Sequence, residues 1–264
     1  MTRRQLLNLL FFGLALPLSL PLLGGFRRRD LGDVSISGNL SKKQSLEHEG
    51  RSRSYQVYVP NPRPQEPCAA VLLLHGHGGS IDQLMGLSGR AAPHRLWMTI
   101  ADRENLILII PEGLVSPDGH QGWNDARNIA TNPASNDVDF LNRLVDAVAE
   151  AYPVDLNRVY AAGLSNGGHM ALRLAAESSD KFAAVAAIAA ANPDPIFAQK
   201  PRSPISVLLM NGTDDRFVPY EGGNMIRDRG QVQSTEDSIQ YWVCLLYTSP
   251  SPRDLSTSRM PSSA

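Results

Sequence analysis

The chain has almost no cysteine, no excess of charge and no hydrophobic run that stays unbroken across a membrane's width, and each shortage removes a class of function. Two cysteines, Cys68 and Cys244, in 264 residues cannot build a disulfide framework, and their spacing matches no metal site. The Asp and His residues do not cluster at ligand spacing either, so no metal and no cofactor is expected. With 25 Lys+Arg against 26 Asp+Glu, the formal net charge of −1 argues against a nucleic-acid partner, which would select a basic stripe. Arg27 to Arg29 and Lys42-Lys43 are too short for such a stripe and read as solvated surface. What remains is a globular composition, 42% hydrophobic and 19% charged, long enough for one large domain with a substantial core. Oligomeric state leaves no trace in the sequence.

The longest apolar stretch, Leu6 to Leu23, follows Arg3-Arg4 and is interrupted by Asn8, Gly13, Pro17, Ser19 and Pro21. A charged start and a greasy middle suit an export signal, and the interruptions disfavour a firm membrane span. Residues 1–29 are therefore expected to be an export signal or an uncleaved N-terminal anchor, the only membrane contact foreseen. Thr2 to Leu7 resembles a twin-arginine signal, which would export a folded protein. The expected location is extracellular or periplasmic.

Residues 30–243 are expected to form the folded domain. Asp30 to Glu49 is polar and reads as a linker with a short strand at Val34 to Ile36, after which Ser54 to Val59 alternates as a half-buried strand does. Ala69 to Leu74 and Leu106 to Ile110 are continuous apolar runs of strand length, the pattern of strands buried on both faces of a parallel sheet. Between and after them come stretches of helical periodicity. Leu96, Trp97, Ile100 and Ala101 mark one helix; Val138, Leu141, Leu144, Val145 and Val148 mark another, capped by Ser135, Asn136 or Asp137. Val159 to Ala162, Phe182 to Ala190 and Ile205 to Met210 read as further strands, with a helix from Gly168 to Glu177. Such alternation predicts an α/β domain: a mostly parallel central sheet with helices on both faces, whose site forms at the carboxyl ends of the strands.

Three motifs fall at such ends. Gly163-Leu164-Ser165-Asn166-Gly167 is a G-x-S-x-G between strand and helix, the nucleophile-elbow pattern, in which glycines two positions either side of the serine give a very tight turn its room. The turn puts the Asn166 N–H at a helix N-terminus, where it can face a developing oxyanion. His75-Gly76-His77-Gly78-Gly79 follows the Ala69–Leu74 run, and Asn211-Gly212-Thr213-Asp214-Asp215 follows the Ile205–Met210 run.

Leu74 to Gly79, Gly163 to Gly168 and Gly212 to Tyr220 together resemble the signature blocks of the secreted polyhydroxybutyrate depolymerase and feruloyl esterase family, in the family's order, over about Gly50 to Trp242. The resemblance implies an α/β-hydrolase fold with Ser165 as nucleophile and Asp215, rather than its neighbour Asp214, as the acid that orients a histidine. It makes the backbone N–H groups of His77 and Asn166 the oxyanion hole, leaving the His77 imidazole an incidental loop side chain. Tyr220 and Trp123 are candidates for the acyl pocket, with core packing the simpler expectation for each. The implied partner is a polymeric or small ester: a polyhydroxyalkanoate, or feruloyl or acetyl esters of plant walls. A serine peptidase of the same fold and a non-catalytic binding protein on a hydrolase fold are the alternatives.

One residue is missing. In this fold the triad runs Ser, Asp, His, yet the six histidines stand at 48, 75, 77, 94, 120 and 169, all before Asp215. His169 should point along its own helix, and His120 is a remote substitute. From Cys244 the character changes to a Ser/Pro-rich string that, through Asp254 and again from Ser258 to Ala264, resembles translated sequencing-library adapter. The sequence therefore predicts a domain cut at about Val243, with residues 244–264 non-native and the catalytic histidine absent.

Overall fold

The structure, a computed structural model, describes residues 36–88, 95–127 and 132–247. Residues 1–29, where an export signal or anchor is expected, and the end of the tail lie outside these residues.

An eight-stranded sheet forms the centre. Its strands are β1 (Asn39–Leu40), β2 (Gln44–His48), β3 (Arg51–Val59), β4 (Cys68–Leu74), β5 (Ile107–Pro111), β8 (Val154–Leu164), β9 (Ala184–Ile188) and β10 (Ser206–Met210), in the order β1-β3-β5-β4-β8-β9-β10 with β2 also on β3. Strands β5, β4, β8, β9 and β10 are mutually parallel, and β3 joins β5 antiparallel. Two short hairpins lie off the sheet: β6 (Leu114–Val115) with β7 (Gln121–Gly122), and β11 (Gly223–Asn224) with β12 (Gln231–Val232).

The apolar run of β4 is continuous because both of its faces are covered. Cys68, Ala70, Leu72 and Leu74 join one core with α3 (Asp137–Ala151), α4 (Asn166–Glu177) and Trp242 of α5 (Thr235–Tyr247). Ala69, Val71 and Leu73 join the other, with α1 (Ile81–Leu84) and α2 (Leu96–Glu104). Removing one such side chain, as in Leu72→Ala, would cost about 2–5 kcal/mol. Asn136 caps α3 by accepting the Asp139 N–H at 3.2 Å.

One expectation needs correction. The polar stretch before Gly50 is not a linker throughout, since β1 and β2 lie in it; of the strand expected at Val34–Ile36, Val34 lies outside the described residues and Ile36 is outside any strand. Strand β2 has one wet face, so Gln44, Ser45 and Glu47 hide its periodicity and Leu46 is its lone aliphatic. At the other end, α5 continues to Tyr247, four residues past Val243 where the sequence changes character.

Strand register sets the site. Leu74 pairs with Gly163, Leu164 with Ile188, and Ile188 with Met210. The next residues, His75, Ser165, Ala189 and Asn211, therefore leave the sheet in one row at its carboxyl edge.

Arg53 of β3 and Asp137 at the start of α3 form a fully buried ion pair, 2.7 Å between Nη2 and Oδ1, with the guanidinium 3.9 Å over the Phe140 ring. Asp137 also accepts from the Asn124 N–H at 2.7 Å and the Ser135 hydroxyl at 3.0 Å, tying the start of α3 to the loop before it. Arg53→Met would strand that carboxylate in the core and is expected to cost about 3–5 kcal/mol. Adding Asp137→Asn should recover a good part of it. Urea unfolding midpoints of the single and double variants test this, and a double variant no more stable than the single one would contradict it.

Candidate active site

Strand β8 ends at Leu164 and α4 begins at Asn166, so Ser165 alone makes the turn. Its φ of 53° and ψ of −121° lie outside the regions that an L-residue favours. Such strain persists only where the surroundings over-determine it. The Ser165 N–H donates to the Ile188 carbonyl at 2.8 Å, and the Ser165 carbonyl accepts from the His169 N–H at 2.9 Å. A Cβ on Gly163 would collide with the Gly167 backbone, and one on Gly167 with the carbonyls of Leu74 and His75. Both glycines are thus required by backbone-on-backbone contact, which no rotamer change relieves.

The contact at Gly167 joins the elbow to the loop after β4. In that loop, a Cβ at Gly76 would lie 3.6 Å from the Ser165 Cβ, so the chain passes directly beside the serine. His75 is buried and structural: its Nδ1–H meets the Gly76 carbonyl at 2.8 Å, while its Nε2 accepts the Gly113 N–H at 2.9 Å. Burial lowers its pKa, which keeps the ring neutral and that tautomer fixed. Among the described residues, no acceptor takes the backbone N–H of His77 or of Asn166, the first residue of α4.

The His77 ring is not a free loop side chain. Its Nε2 lies 2.8 Å from Asp118 in the turn between β6 and β7, and it is 11% exposed. Burial, followed by the nearby Arg229 charge, lowers its pKa. His120 packs edge-on against it, ring centroids 5.6 Å apart.

Asp215 sits in the loop after β10, its Oδ1 accepting from the Phe217 and Val218 N–H groups at 2.7 and 3.0 Å, whereas Asp214 is exposed. Asn211 holds this loop to its neighbours through the Ala190 N–H and carbonyl and the Thr235 hydroxyl, all at 2.9 to 3.0 Å. An open groove of about 740 Å³ runs beside Asp215, lined by Thr213, Arg216 and Tyr220 among others. Of the two aromatics, Trp123 is wholly buried in the core, whereas Tyr220 is half-buried on this groove, its hydroxyl donating to Glu236 at 2.9 Å.

Ser165 and Asp215 stand on the same edge of the sheet with β9 between their strands, a spacing of about 10 Å from two strand separations. No described histidine is hydrogen-bonded to either. His48 pairs with Asp139, and His169 is wholly buried with its Nδ1 on the Ala191 carbonyl at 2.8 Å. His94 lies outside the described residues.

A buried polar cluster beneath the elbow has no counterpart in the sequence reading. The Asn166 side chain accepts the Trp123 N–H at 2.8 Å and donates through Nδ2 to the Trp123 carbonyl at 3.0 Å and to Asp125 Oδ2 at 2.6 Å. Trp123 Nε1 in turn donates to the His75 carbonyl at 2.9 Å. Asp125, with no exposure, is paired with buried Arg127 at 2.6 Å and also accepts from Asn132 at 2.8 Å. Burial pushes the Asp125 carboxyl up, but the Arg127 charge, the electrostatic effect of His169 and these hydrogen bonds outweigh it and hold the pKa at about 2. The only trace in the sequence is an aperiodic Trp123-Asn124-Asp125-Ala126-Arg127 in a loop.

A mostly parallel sheet covered by helices, with a serine on a strained strand-to-helix turn, defines the α/β-hydrolase fold. The chain belongs to the Esterase family, whose model, described as "Putative esterase", matches residues 47–236. It is 36% identical over 178 residues to "Putative esterase NocK" of Nocardia uniformis subsp. tsuyamanensis, covering 66% of this chain and 48% of that protein. It is 26% identical over 185 residues to Feruloyl esterase D of Neurospora crassa, covering 68% and 59% respectively. The Poly(3-hydroxybutyrate) depolymerase of Ralstonia pickettii is 29% identical over 153 residues, 54% of this chain and 30% of its own. The chain spans about half the length of the curated relatives it matches. Among solved structures, native pOPH superposes with a TM-score of 0.53 at 16% identity over 80% of this chain and 76% of its own. A thermostable esterase gives 0.52 at 22% over 68% and 48%, and both likenesses speak to the fold alone.

The buried His169 makes a stability prediction. Burial first, then the Arg127 charge, lowers its pKa from 6.5 to about 4. Because the unfolded chain takes up this proton at higher pH than the folded one, the contribution is complete above pH 6.5 and is lost as pH falls towards 4, roughly 3 kcal/mol in all. His169→Asn, whose Nδ2 can still donate to Ala191, is expected to flatten the fall in unfolding free energy between pH 7 and 5. An unchanged slope in denaturant titrations at the two pH values would contradict it.

Proposed function

We propose that this chain carries the acyl-transfer machinery of a serine esterase. Ser165 attacks an ester carbonyl through Oγ, the N–H groups of His77 and Asn166 receive the oxyanion, the alcohol leaves, and water releases the acid from the acyl-serine. Asp215 is the acid whose part is to orient an imidazole, and the gap across β9 suits one ring hydrogen-bonded at both nitrogens. The observation that carries this reading is the backbone of Ser165: strain of that kind, locked by Gly163 and Gly167, presents a side chain above the sheet and has no use in packing. The ester substrates we propose are those of a polymer, polyhydroxyalkanoate or feruloyl and acetyl wall esters, in line with the names of the relatives. Export through residues 1–29 accords with a polymeric substrate too large to enter a cell. No helix of the described residues is long and apolar enough to cross a membrane.

The order of residues favours a second reading for the chain as written. No histidine follows Asp215, and without a base Ser165 is a poor nucleophile. Loss of a triad member costs about four to six orders of magnitude. From an ordinary turnover of about 10 per second, the 264-residue chain is therefore expected to hydrolyse 4-nitrophenyl butyrate at about 10⁻³ per second or slower. A non-catalytic binding protein on a hydrolase fold becomes the better reading if the genuine sequence after Asp215 carries no histidine. Because triad residues act as a unit, Ser165→Ala is expected to leave this residual rate nearly unchanged. Steady-state kinetics of the full chain and the variant are the test, and brisk Ser165-dependent turnover would refute the inactive state while upholding the esterase assignment.

A further inference from the structure

The two proposed oxyanion donors come from different elements, His77 from the loop after β4 and Asn166 from the head of α4. Their usefulness depends on mutual placement within tenths of an ångström. Backbone contact at Gly167 joins the elements, but it does not fix the rotation of the first turn of α4. That is done by the Asn166 side chain, which grips Trp123 at both its N–H and its carbonyl, 2.8 and 3.0 Å away. Trp123 then reaches the loop through Nε1 on the His75 carbonyl.

An amide side chain is symmetric enough to turn over; the Trp123 N–H and carbonyl already tell its oxygen from its nitrogen, and a third partner reinforces the choice. Asp125 Oδ2, 2.6 Å from Nδ2, accepts only from the nitrogen, takes its second hydrogen and so holds the amide in that orientation. A carboxylate with no exposure would not survive there unpaired. Arg127 holds it through Nε at 3.1 and 3.0 Å and Nη2 at 2.6 Å, and anchors itself through Nη1 to the Arg229 carbonyl at 2.6 Å. The ion pair thus connects the elbow to the segment between β11 and β12, which Arg229 brings to the carboxyl edge beside Asp118. Asp125 has no exposure, so it acts through Asn166 rather than by touching a substrate.

We propose that Asp125, clamped by Arg127, is the positioning residue of the oxyanion hole: it fixes the Asn166 amide and through it the relative placement of the Asn166 and His77 N–H groups. The proposal rests on the esterase reading above and deepens it.

Two measurements on the full chain test it. In the first, backbone amide resonances are compared between the natural chain and Asp125→Asn, with Asp125→Asn/Arg127→Met as the companion that removes the stranded guanidinium and keeps the fold within reach. The Asn166 and His77 N–H resonances should move in both variants, while those of β4 and β8 below Leu72 and Ala161 stay in place. In the second, residual hydrolysis of 4-nitrophenyl acetate should fall about tenfold or more in kcat with KM within twofold, because the lost interaction is made only with the transition state. A variant that is merely looser would raise KM or lose folded protein instead. Unmoved Asn166 and His77 resonances in a folded variant, or an unchanged kcat, overturn the proposal. The esterase reading fails separately: hydrolysis that Ser165→Ala does not alter in a chain carrying the genuine sequence after Val243 would sink it, while shifted resonances would still uphold the positioning role of Asp125.

Discussion

The turn at Ser165 depends on one close approach: the backbone of Gly167 lies against the carbonyls of Leu74 and His75, leaving no space for a Cβ. From this contact much of the site follows. It brings the start of α4 down onto the end of β4, so that the loop from His75 to Gly79 runs beside the serine. It also forces the chain to leave β8 in a single residue, which is why Ser165 takes φ 53° and ψ −121°. The strain is supported by a sheet whose strands β4, β8, β9 and β10 are in register at the same edge and whose two faces are both covered by helices.

Parallel order is what lets so few contacts do this. In a parallel sheet all carboxyl ends point one way, so His75, Ser165, Ala189 and Asn211 emerge in a row without any long-range device to gather them. The helices set the depth. α4 packs its buried face, from Met170 to Ala176, on the sheet, and its Gly168 lies so near Ala190 that a Cβ there would come within 2.8 Å. The acid loop is less enclosed: β10 is half-buried throughout, and the groove beside Asp215 opens to solvent.

Much of this was legible in the sequence, for identifiable reasons. Buried parallel strands are continuous apolar runs, so β4 and β5 are found within a residue or two of their ends, and the glycines of the elbow are demanded by sterics that operate over five residues. Edge strands were lost because one wet face dilutes the pattern, as β2 shows with Leu46 among polar neighbours. The His77 imidazole reads as an incidental loop side chain because its partner, Asp118, is 41 residues away. The Asp125 cluster escaped for the same reason: Asp125 and Asn166 are 41 apart, Arg127 and Arg229 102 apart, and no local periodicity encodes such pairings.

The buried ion pairs invite comparison, because the described residues hold two and they serve different ends. Arg53 and Asp137 are wholly covered and fasten the entry of α3 to β3. Replacing both by packed apolar groups would leave such a joint intact, since desolvation consumes most of what the attraction returns. Asp125 and Arg127 pay the same desolvation but sit where direction matters. An apolar substitute could fill the volume under Asn166 yet would leave the second Nδ2 hydrogen without an acceptor. A charge is kept in the core there because an acceptor without a donor reinforces the orientation that the Trp123 N–H and carbonyl set, and in a low-dielectric site the carboxylate holds it more firmly than a neutral amide would.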